Sequence, residues 1–478
     1  MVPEKILVIG NGILGLMSAY EIKQRSPKVE VIVIGKKNRL GGATTAAAAM
    51  LNSFAEIEPT SLKSVPSRNH FGVSRQATVE WDIFNKKIFK DLDIPKPLRR
   101  ELIKSYKKGT FIINNNASDS FDDKVFTSIK SALDQYHETY DLVEPSEIPN
   151  YFPQERYRAN KAIFIPNEGW LNPNLLLQIL EHKLKKLGVV FIDEECVNIV
   201  YNSKKVEFIK LSNQDVLRGD KYLVANGSGF TRLFKQSKAQ LYFQPVFSGV
   251  GVSIQIRASG RSHSHCVRTV NRGGACGIYT VPYVSGESDA GSQDIIIGAS
   301  NFISEVQKFR GRLISIKHLL DAAINEINQN FYNAELVKIN VGNRPTTVDG
   351  YMLFGKTLIS NLFVITGTRR DGFHLAPTLA KNITKQIFGE NIDARLKVFH
   401  PNRNIIRDLT FKDGVEINTS HLISEQYQHG FVPATILQAK KNVEVTRKEV
   451  ENIHKRSGQR KFGIPPLMLK MYRDHKIK

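Results

Sequence analysis

Three glycines near the amino terminus have a spacing that suits the binding of a dinucleotide. The four apolar residues 6–9 predict a buried parallel strand. Gly10, Gly12 and Gly15 follow at G-x-G-x-x-G spacing, where a helical pattern of small and apolar residues begins. Backbone N–H groups at a helix N-terminus bind pyrophosphate because the helix dipole favours negative charge there. The segment therefore predicts a Rossmann-type site. The residues expected around the pyrophosphate are Gly10, Gly12, Ile13, Leu14 and Gly15.

The segment after the second predicted strand, residues 29–34, lacks the acidic residue that commonly binds the adenosine ribose. Gly35 takes that position, followed by Lys36 and Lys37. These two cations could bind a 2′-phosphate, so the segment on its own favours NADP and an NADP-dependent dehydrogenase. Residues 39–51 favour FAD instead, because we interpret them as a turn that leads into a helix of very small side chains. A second helix N-terminus of this kind lets a bulky, flat ligand lie close to the backbone.

Further motifs occur along the chain in the order typical of one family of flavoenzymes. They are Gly42-Ala43-Thr44, Glu168-Gly169-Trp170-Leu171-Asn172-Pro173, Cys196-Val197-Asn198-Ile199-Val200, Tyr222-Leu223-Val224-Ala225-Asn226-Gly227, Tyr279-Thr280-Val281-Pro282, Ile297-Gly298-Ala299-Ser300, and the segments 342–350 and 366–377. With the glycine loop, this ordered set resembles the FAD-dependent D-amino-acid oxidase superfamily. Its pattern is most similar to the glycine oxidase and sarcosine oxidase-like members. The resemblance covers residues 4–390.

The resemblance implies an α/β fold with two domains built from alternating segments. A discontinuous Rossmann-type FAD-binding domain is expected from residues 1–60, 165–238 and 336–390. A substrate domain on a mixed β-sheet is expected from residues 61–164 and 239–335. Residues 391–478 lie beyond the resemblance and form a basic C-terminal extension, for which we predict a helix over residues 433–455 and a turn at Asp413-Gly414.

The resemblance also implies which residues contact FAD. Besides those of the glycine loop, they are Ala43, Thr44, Val197, Asn226, Gly227, Gly372, Phe373, His374 and Leu375. Because Gly35 lacks the family's acidic group, Lys36 or the backbone is expected to hold the adenosine end. Residues 342–349 contain no cysteine, whereas the sarcosine oxidase branch bonds its flavin covalently there. We therefore expect noncovalent FAD.

Five residues are expected around the reacting atoms because they match pocket positions of the family. Arg344 matches the arginine that binds the substrate carboxylate, which a guanidinium meets with two parallel hydrogen bonds. Tyr279, Arg370 and Asn301 match further pocket positions. His374 replaces an apolar residue near the flavin pyrimidine. Arg344 and Tyr279 could instead be structural, and His374 could either donate a hydrogen bond to a flavin carbonyl or only pack at the helix start.

The predicted activity is that of an amino acid or amine oxidase or dehydrogenase. FAD would take a hydride from the carbon that bears the amine, and water would hydrolyse the resulting imine to a keto product. Several alternatives remain open. The same fold could act on a 2-hydroxy acid, on a nucleotide-linked or amino sugar, or on a substrate presented by an acidic partner protein. A noncatalytic assembly role is another alternative.

The composition is that of an ordinary globular protein. Of the 478 residues, 41% are hydrophobic and 24% are charged, and no stretch of about 20 apolar residues could span a membrane. The N-terminal pattern does not match a signal peptide, and three cysteines are too few for a disulfide scaffold. These features predict a cytoplasmic protein. His263, His265, Cys266 and Cys276 match no familiar zinc spacing, so we expect no metal.

The formal net charge of +21 is unusual for an enzyme with a small substrate. From residue 440 onwards, 12 Lys and Arg face 4 Asp and Glu, which gives +8. This segment could be a solvated helix, or it could bind an acidic protein partner or an anionic substrate. No zinc finger, helix-turn-helix or aromatic-interleaved basic repeat accompanies it, so the sequence does not favour nucleic acid. Assembly into a homo-oligomer is left open.

Overall fold

The structure, a computed structural model, describes residues 3–235, 242–259, 264–273, 277–283 and 292–477. The strands in these ranges are β1 (Lys5–Ile9), β2 (Glu30–Ile34), β3 (Met50–Leu51), β4 (Lys107–Asn114), β5 (Asp141–Val143), β6 (Lys161–Trp170), β7 (Val190–Ile192), β8 (Cys196–Tyr201), β9 (Val206–Leu211), β10 (Val216–Leu217), β11 (Lys221–Val224), β12 (Val246–Ser259), β13 (Cys266–Thr269), β14 (Tyr279–Tyr283), β15 (Ser292–Gly298), β16 (Phe302–Ser304), β17 (Glu335–Thr347), β18 (Leu353–Lys356) and β19 (Leu362–Thr366). The helices are α1 (Ile13–Arg25), α2 (Val65–Lys90), α3 (Lys96–Ser105), α4 (Phe121–Gln135), α5 (Pro173–Lys186), α6 (Phe230–Lys235), α7 (Leu313–Ala322), α8 (Ala376–Ile387), α9 (Phe411–Gln428), α10 (Ile436–Arg456) and α11 (Leu469–Arg473).

One sheet has six strands in the order β18-β19-β11-β1-β2-β7. All neighbouring strands run parallel except β18, which runs antiparallel to β19. Apolar residues of α1, α5 and α8 pack on one face, and those of β8, β9 and α6 pack on the other. Burial on both faces explains why β1 and β2 are continuous apolar runs without alternation.

The second sheet is mixed and has the order β16-β12-β15-β14-β13-β4-β6-β3, with β17 paired to β12 and β5 paired to β6. Its pairings are antiparallel except that of β13 with β4. Strands β3 and β17 belong to this sheet, although they lie in segments that we expected to build the FAD-binding domain. The predicted domain boundaries therefore stay a prediction.

The helix of small side chains predicted within residues 39–51 is wrong. Turns occupy residues 43–46, and β3 follows with Met50 paired to Trp170. Ala49 has φ +51°, a left-handed conformation that interrupts a right-handed helix. Pairing with β6 therefore outweighs the helix propensity of alanine in this segment.

The C-terminal extension folds onto the rest of the chain. Apolar residues of α9, α10 and α11 form a buried cluster with Phe247, Ile303 and Val348. The turn predicted at Asp413-Gly414 is wrong, because both residues lie in the first turns of α9. Gly414 is required there because a Cβ would lie 2.3 Å from the Gly463 Cα. The predicted helix corresponds to α10, whose buried residues include Val450 and Ile453 and whose basic side chains lie mostly on the exposed side.

No helix within the described ranges combines the length and apolar character that a membrane span requires. The cytoplasmic location and the partner of the basic segment stay predictions.

The glycine at position 35 is coupled to the side chain of Asn11. The Asn11 amide donates to the carbonyl oxygens of Gly35 and Lys36, each at 3.0 Å. A Cβ at position 35 would lie 2.6 Å from the Asn11 Cγ. Asn11 of the glycine loop therefore holds the end of β2 through two hydrogen bonds. Its side chain leaves no room for a residue larger than glycine at position 35.

We expect Gly35→Ala to lower the free energy of unfolding by about 1–3 kcal/mol, because the added methyl group must displace a hydrogen-bonded amide. In an Asn11→Ala background the same change should cost less, since Cγ and Oδ1 are gone and only the Cβ at position 11, 3.1 Å away, remains close. Urea denaturation of the parent, both single variants and the double variant measures this coupling. Equal costs in the two backgrounds would contradict it.

Candidate functional site

A cavity of about 530 Å³ lies at the carboxyl ends of β1, β2 and β11 and extends to the mixed sheet. Ligands of open α/β sheets bind at this edge. The predicted site residues that line this main cavity are Gly10, Gly12, Ile13, Leu14, Lys36, Ala43, Thr44, Asn226, Gly227, Tyr279, Arg344, Arg370, Gly372, Phe373 and His374. Four predicted residues do not line it: Gly15, Val197, Asn301 and Leu375.

The glycine loop forms a narrow cradle at one end of the main cavity. Gly12 is the N-cap of α1, and the Ile13 N–H donates to Thr44 Oγ1 at 3.2 Å. Gly10 has φ +120°, and a Cβ there would lie 2.3 Å from the Ala225 oxygen. A Cβ on Gly15 would lie 1.9 Å from the Gly10 oxygen, so Gly15 packs α1 on β1 without touching a ligand. Backbone N–H groups at this helix start fit a pyrophosphate.

Two cations near Gly35, Lys36 and Arg39, are paired, whereas the exposed side chain of Lys37 makes no ion pair among the described residues. The Lys36 ammonium lies 3.0 Å from Glu194 Oε2 and donates to the Asp193 oxygen at 3.1 Å. Arg39 pairs with Glu181. Charges that are neutralised in this way do not favour a 2′-phosphate, and they weaken the case for Lys36 as the adenosine ligand.

The sequence interpretation missed Glu195, which lines the main cavity beside Cys196 and pairs with Arg232. The available signal in the sequence was the position of Glu195 shortly after β7, which lies next to β2 in the sheet. Val197 follows on β8, half-buried and outside the cavity lining.

The loop before α8 is fixed by aromatic packing. Phe373 stacks on Trp81 with ring centroids 5.4 Å apart, and the Trp81 indole donates to the His374 oxygen at 2.7 Å. A Cβ on Gly372 would lie 2.4 Å from Thr368 Oγ1, so the backbone passes close to its neighbour. Leu375 is fully buried at the start of α8 and packs without lining the cavity.

His374 is buried and neutral. Its Nε2 lies 2.9 Å from the Ser74 carbonyl oxygen and 3.1 Å from Ser53 Oγ. Since a carbonyl only accepts, Nε2 carries the proton, and Nδ1 is an acceptor with no partner among the described residues. Burial lowers the pKa of His374 to about 4. This tautomer does not favour the predicted donation to a flavin carbonyl.

Arg344 extends from β17 into the main cavity. Its Nη1 donates to the Ser300 oxygen at 3.0 Å and to Asn301 Oδ1 at 3.3 Å. A Cβ on Gly251 would lie 2.3 Å from Nη1, so a glycine is needed for the guanidinium to lie there. Arg344 makes no ion pair with a carboxylate among the described residues. Asn301 thus orients the arginine from outside the cavity lining.

Tyr279 lies in β14 and is 5% exposed. A Cβ on Gly298 of the neighbouring strand would lie 2.3 Å from its hydroxyl oxygen, so the ring passes over that glycine. The phenol is therefore a fixed part of the cavity wall.

Arg370 is held by acidic residues that the sequence interpretation missed. Its Nε lies 2.7 Å from Glu56 Oε2, and its Nη2 lies 3.4 Å from Glu58 Oε1. Arg268 also pairs with Glu56, at 2.7 Å. Burial alone would raise the pKa of Glu58, but a hydrogen bond from His421 and the nearby arginine charges lower it to about 2. The charge of Arg370 is thus neutralised, which makes it a weaker candidate than Arg344 for a substrate anion.

Glu168 sets the position of Glu56. Its Oε1 accepts hydrogen bonds from the backbone N–H groups of Ser53 at 2.6 Å and Phe54 at 2.5 Å, at the start of the 54–56 turn. Burial raises the pKa of Glu168 to about 7. The sequence signal was its place in a family motif, which gave no role.

Two of the four residues whose spacing does not match a zinc site lie outside the described part of the chain. His263 and Cys276 lie outside the described residues, and within the described ranges no three His, Cys, Asp or Glu side chains are grouped as metal ligands. The absence of a metal stays a prediction.

Comparison with known proteins gives the family. Residues 5–386 match the sequence model described as DAO, FAD dependent oxidoreductase. A D-amino acid dehydrogenase from Vibrio atlanticus is 22% identical over 82% of this chain and 97% of its own length. The bifunctional protein ThiO/ThiG from a Nostoc species is 24% identical over 84% of this chain, which spans 55% of that protein.

Solved structures give the same fold. Glycine oxidase from Geobacillus kaustophilus has a TM-score of 0.67 at 19% identity, and iminodiacetate oxidase from Chelativorans has a TM-score of 0.66 at 18% identity. Each comparison covers 84% of this chain and all of the other. The family fold accounts for both the parallel sheet with its glycine cradle and the mixed sheet beside it. The chain belongs to the DAO family of FAD-dependent oxidoreductases.

Proposed function

We propose that this oxidoreductase oxidises an amino acid or a related amine at the carbon that bears nitrogen. The relatives and structural neighbours include proteins named for D-amino acids, glycine and iminodiacetate. The observation that carries the proposal is the Arg344 guanidinium, which lies in the main cavity without a carboxylate partner among the described residues. Bound FAD supplies the acceptor for the hydride that leaves the substrate carbon.

We infer that FAD is held without a covalent bond. The Gly10–Gly12 cradle fits the pyrophosphate, and the fixed loop 372–374 is the candidate support for the flavin ring. Of the described cysteines, Cys196 lines the main cavity and Cys266 does not. Burial raises the pKa of the Cys196 thiol to about 12, which makes it a poor nucleophile.

Arg344 is the proposed ligand of the substrate carboxylate. Ser300 and Asn301 hold Nη1, while Nε and Nη2 donate to no described residue and can meet a carboxylate with two parallel bonds. Fixing the carboxylate orients the neighbouring C–H bond, and orientation is a large part of the catalytic effect in such reactions. Tyr279 forms the adjoining wall and is proposed to limit how the substrate turns.

The same guanidinium would also bind a 2-hydroxy acid, which is the second candidate substrate class. The paired state of Lys36 and Arg39 does not favour the NADP alternative. Anaerobic mixing with amino acids, amines and hydroxy acids separates these classes, because a substrate bleaches the visible band of the bound flavin.

We expect Arg344→Ala to slow flavin reduction by carboxylate substrates by about 100-fold or more, since the substrate loses its fixed orientation. The yellow colour should be retained, because Arg344 contacts no part of the glycine cradle. Stopped-flow absorbance under anaerobic conditions gives the rate. Arg25→Ala is the matched control, because its exposed pair with Glu390 lies outside the cavity lining. Equal rates in parent and Arg344→Ala would remove the assignment.

We propose that the Nδ1 acceptor of His374 faces the cofactor, and the neutral ring gives a measurable pH dependence. The unfolded chain binds a proton at His374 below about pH 6.5, whereas the folded protein does so only near pH 4. The free energy of unfolding should therefore fall by about 2–3 kcal/mol between about pH 7 and pH 4.5 from this residue alone.

Urea denaturation at both pH values compares the parent with His374→Gln, which keeps a donor for the Ser74 carbonyl but does not titrate. The fall in the free energy of unfolding should be smaller in His374→Gln by about 2–3 kcal/mol, the contribution of the titrating ring. Parallel stability curves would show that the ring is protonated in the folded protein.

A further inference from the structure

A second cavity of about 190 Å³ adjoins the main one on the side of the C-terminal extension. The extension contributes Asp408, Leu409, His421 and residues 465–468 to its lining. Five residues line both cavities: Asn52, Glu56, Arg369, Arg370 and Asp371. These shared residues form a partition between the two spaces.

The centre of the partition is a chain of buried polar contacts that begins in the extension and includes the Arg370 ion pairs. His421 of α9 lies 3.3 Å from Glu58 Oε2. Glu58 contacts Arg370 at 3.4 Å, and Arg370 contacts Glu56 at 2.7 Å. The four side chains are only 6–19% exposed. Removing Glu56, Glu58 or Arg370 would leave a buried charge with fewer partners, so these three side chains hold their geometry firmly.

The partition lies next to the proposed substrate arginine. The Arg369 N–H donates to the Pro345 oxygen at 2.8 Å, and Thr346 forms a β-bridge with Thr368. The turn that carries Arg370 is therefore joined by backbone bonds to the strand that carries Arg344. A substrate held by its carboxylate at Arg344 would have the charged partition beside it.

We propose that this partition limits the length of the substrate side chain, and that His421 is a positioning residue that acts through Glu58 on Arg370. The inference rests on the proposed substrate site at Arg344. An apolar side chain cannot pass between Glu56 and Arg370 without separating a buried ion pair. The extension thereby gives the catalytic core a closed substrate cavity, with the second cavity kept apart behind it.

The test is the binding of straight-chain carboxylates, from acetate to octanoate, to the FAD-loaded protein. Perturbation of the flavin visible spectrum reports binding without turnover. In the parent, affinity should stop rising once the chain reaches the partition. In Glu58→Gln and in His421→Leu it should continue to rise, by about fourfold for each added methylene that is buried.

His454→Asn is the control for general loosening of the extension. Its ring accepts from the Ile464 N–H at 2.9 Å and lines neither cavity. This variant should keep the parent's length profile. The proposal is overturned if Glu58→Gln retains FAD and the parent's profile, or if His454→Asn lengthens the profile equally. Should His421→Leu fail to retain FAD, Glu58→Gln decides.

The outcome is distinguishable from that of the proposed function. A parent that binds short carboxylates and shows the length limit, but is bleached by no amine, would support the partition and refute amine oxidation. If amines bleach the flavin but parent and variants show the same dependence of affinity on chain length, amine oxidation is supported and the partition is refuted. A parent that binds none of the carboxylates would overturn the partition as a wall of a carboxylate site.

Discussion

The contact between Gly10 and the backbone that directly follows β11 determines where a ligand can lie in this protein. Any side chain at Gly10 would collide with the Ala225 carbonyl, and any at Gly15 would collide with Gly10 itself. Three backbone segments consequently meet more closely than residues with a Cβ permit, and the helix start is left uncovered. The main cavity runs from this point to the mixed sheet, so the position of the reacting end follows from the packing at the nucleotide end.

The carboxylates around the main cavity determine which of the cationic side chains at its wall can bind an anionic group of a ligand. Most cations at its wall are compensated: Lys36 by Glu194, Arg39 by Glu181, and Arg370 by Glu56 and Glu58. The pairs of Arg39 and Arg370 are largely buried, and separating them would leave unsatisfied ions, whereas the Lys36 pair is partly exposed and therefore weaker. Arg344 differs in that only neutral oxygens hold it. In a chain with a net charge of +21, the Arg344 guanidinium thus differs from Arg39 and Arg370 in having no carboxylate partner among the described residues.

Local patterns predicted the parts of the fold that depend on neighbouring residues. The strand, the glycine loop and the helix of residues 5–25 are where the apolar run and the glycine spacing predicted them. The helix expected within residues 39–51 is wrong because strand pairing with a segment more than 100 residues away outweighs the helix propensity of alanine. The pairing of Arg370 with Glu56 and Glu58 was equally hidden, since over 300 residues separate these partners. A lone sequence shows which residue types are present but not which charges cancel.

The fit between Asn11 and Gly35 constrains how this branch can diverge. An acidic residue could reach position 35 only after position 11 had lost its amide, because the two side chains would claim the same space. The order of substitutions is thereby fixed, with the intermediate giving up two hydrogen bonds before any new ribose contact forms. As long as Asn11 keeps its amide in this place, glycine fits best at position 35, and an acidic contact to the ribose has to come from another segment of the chain.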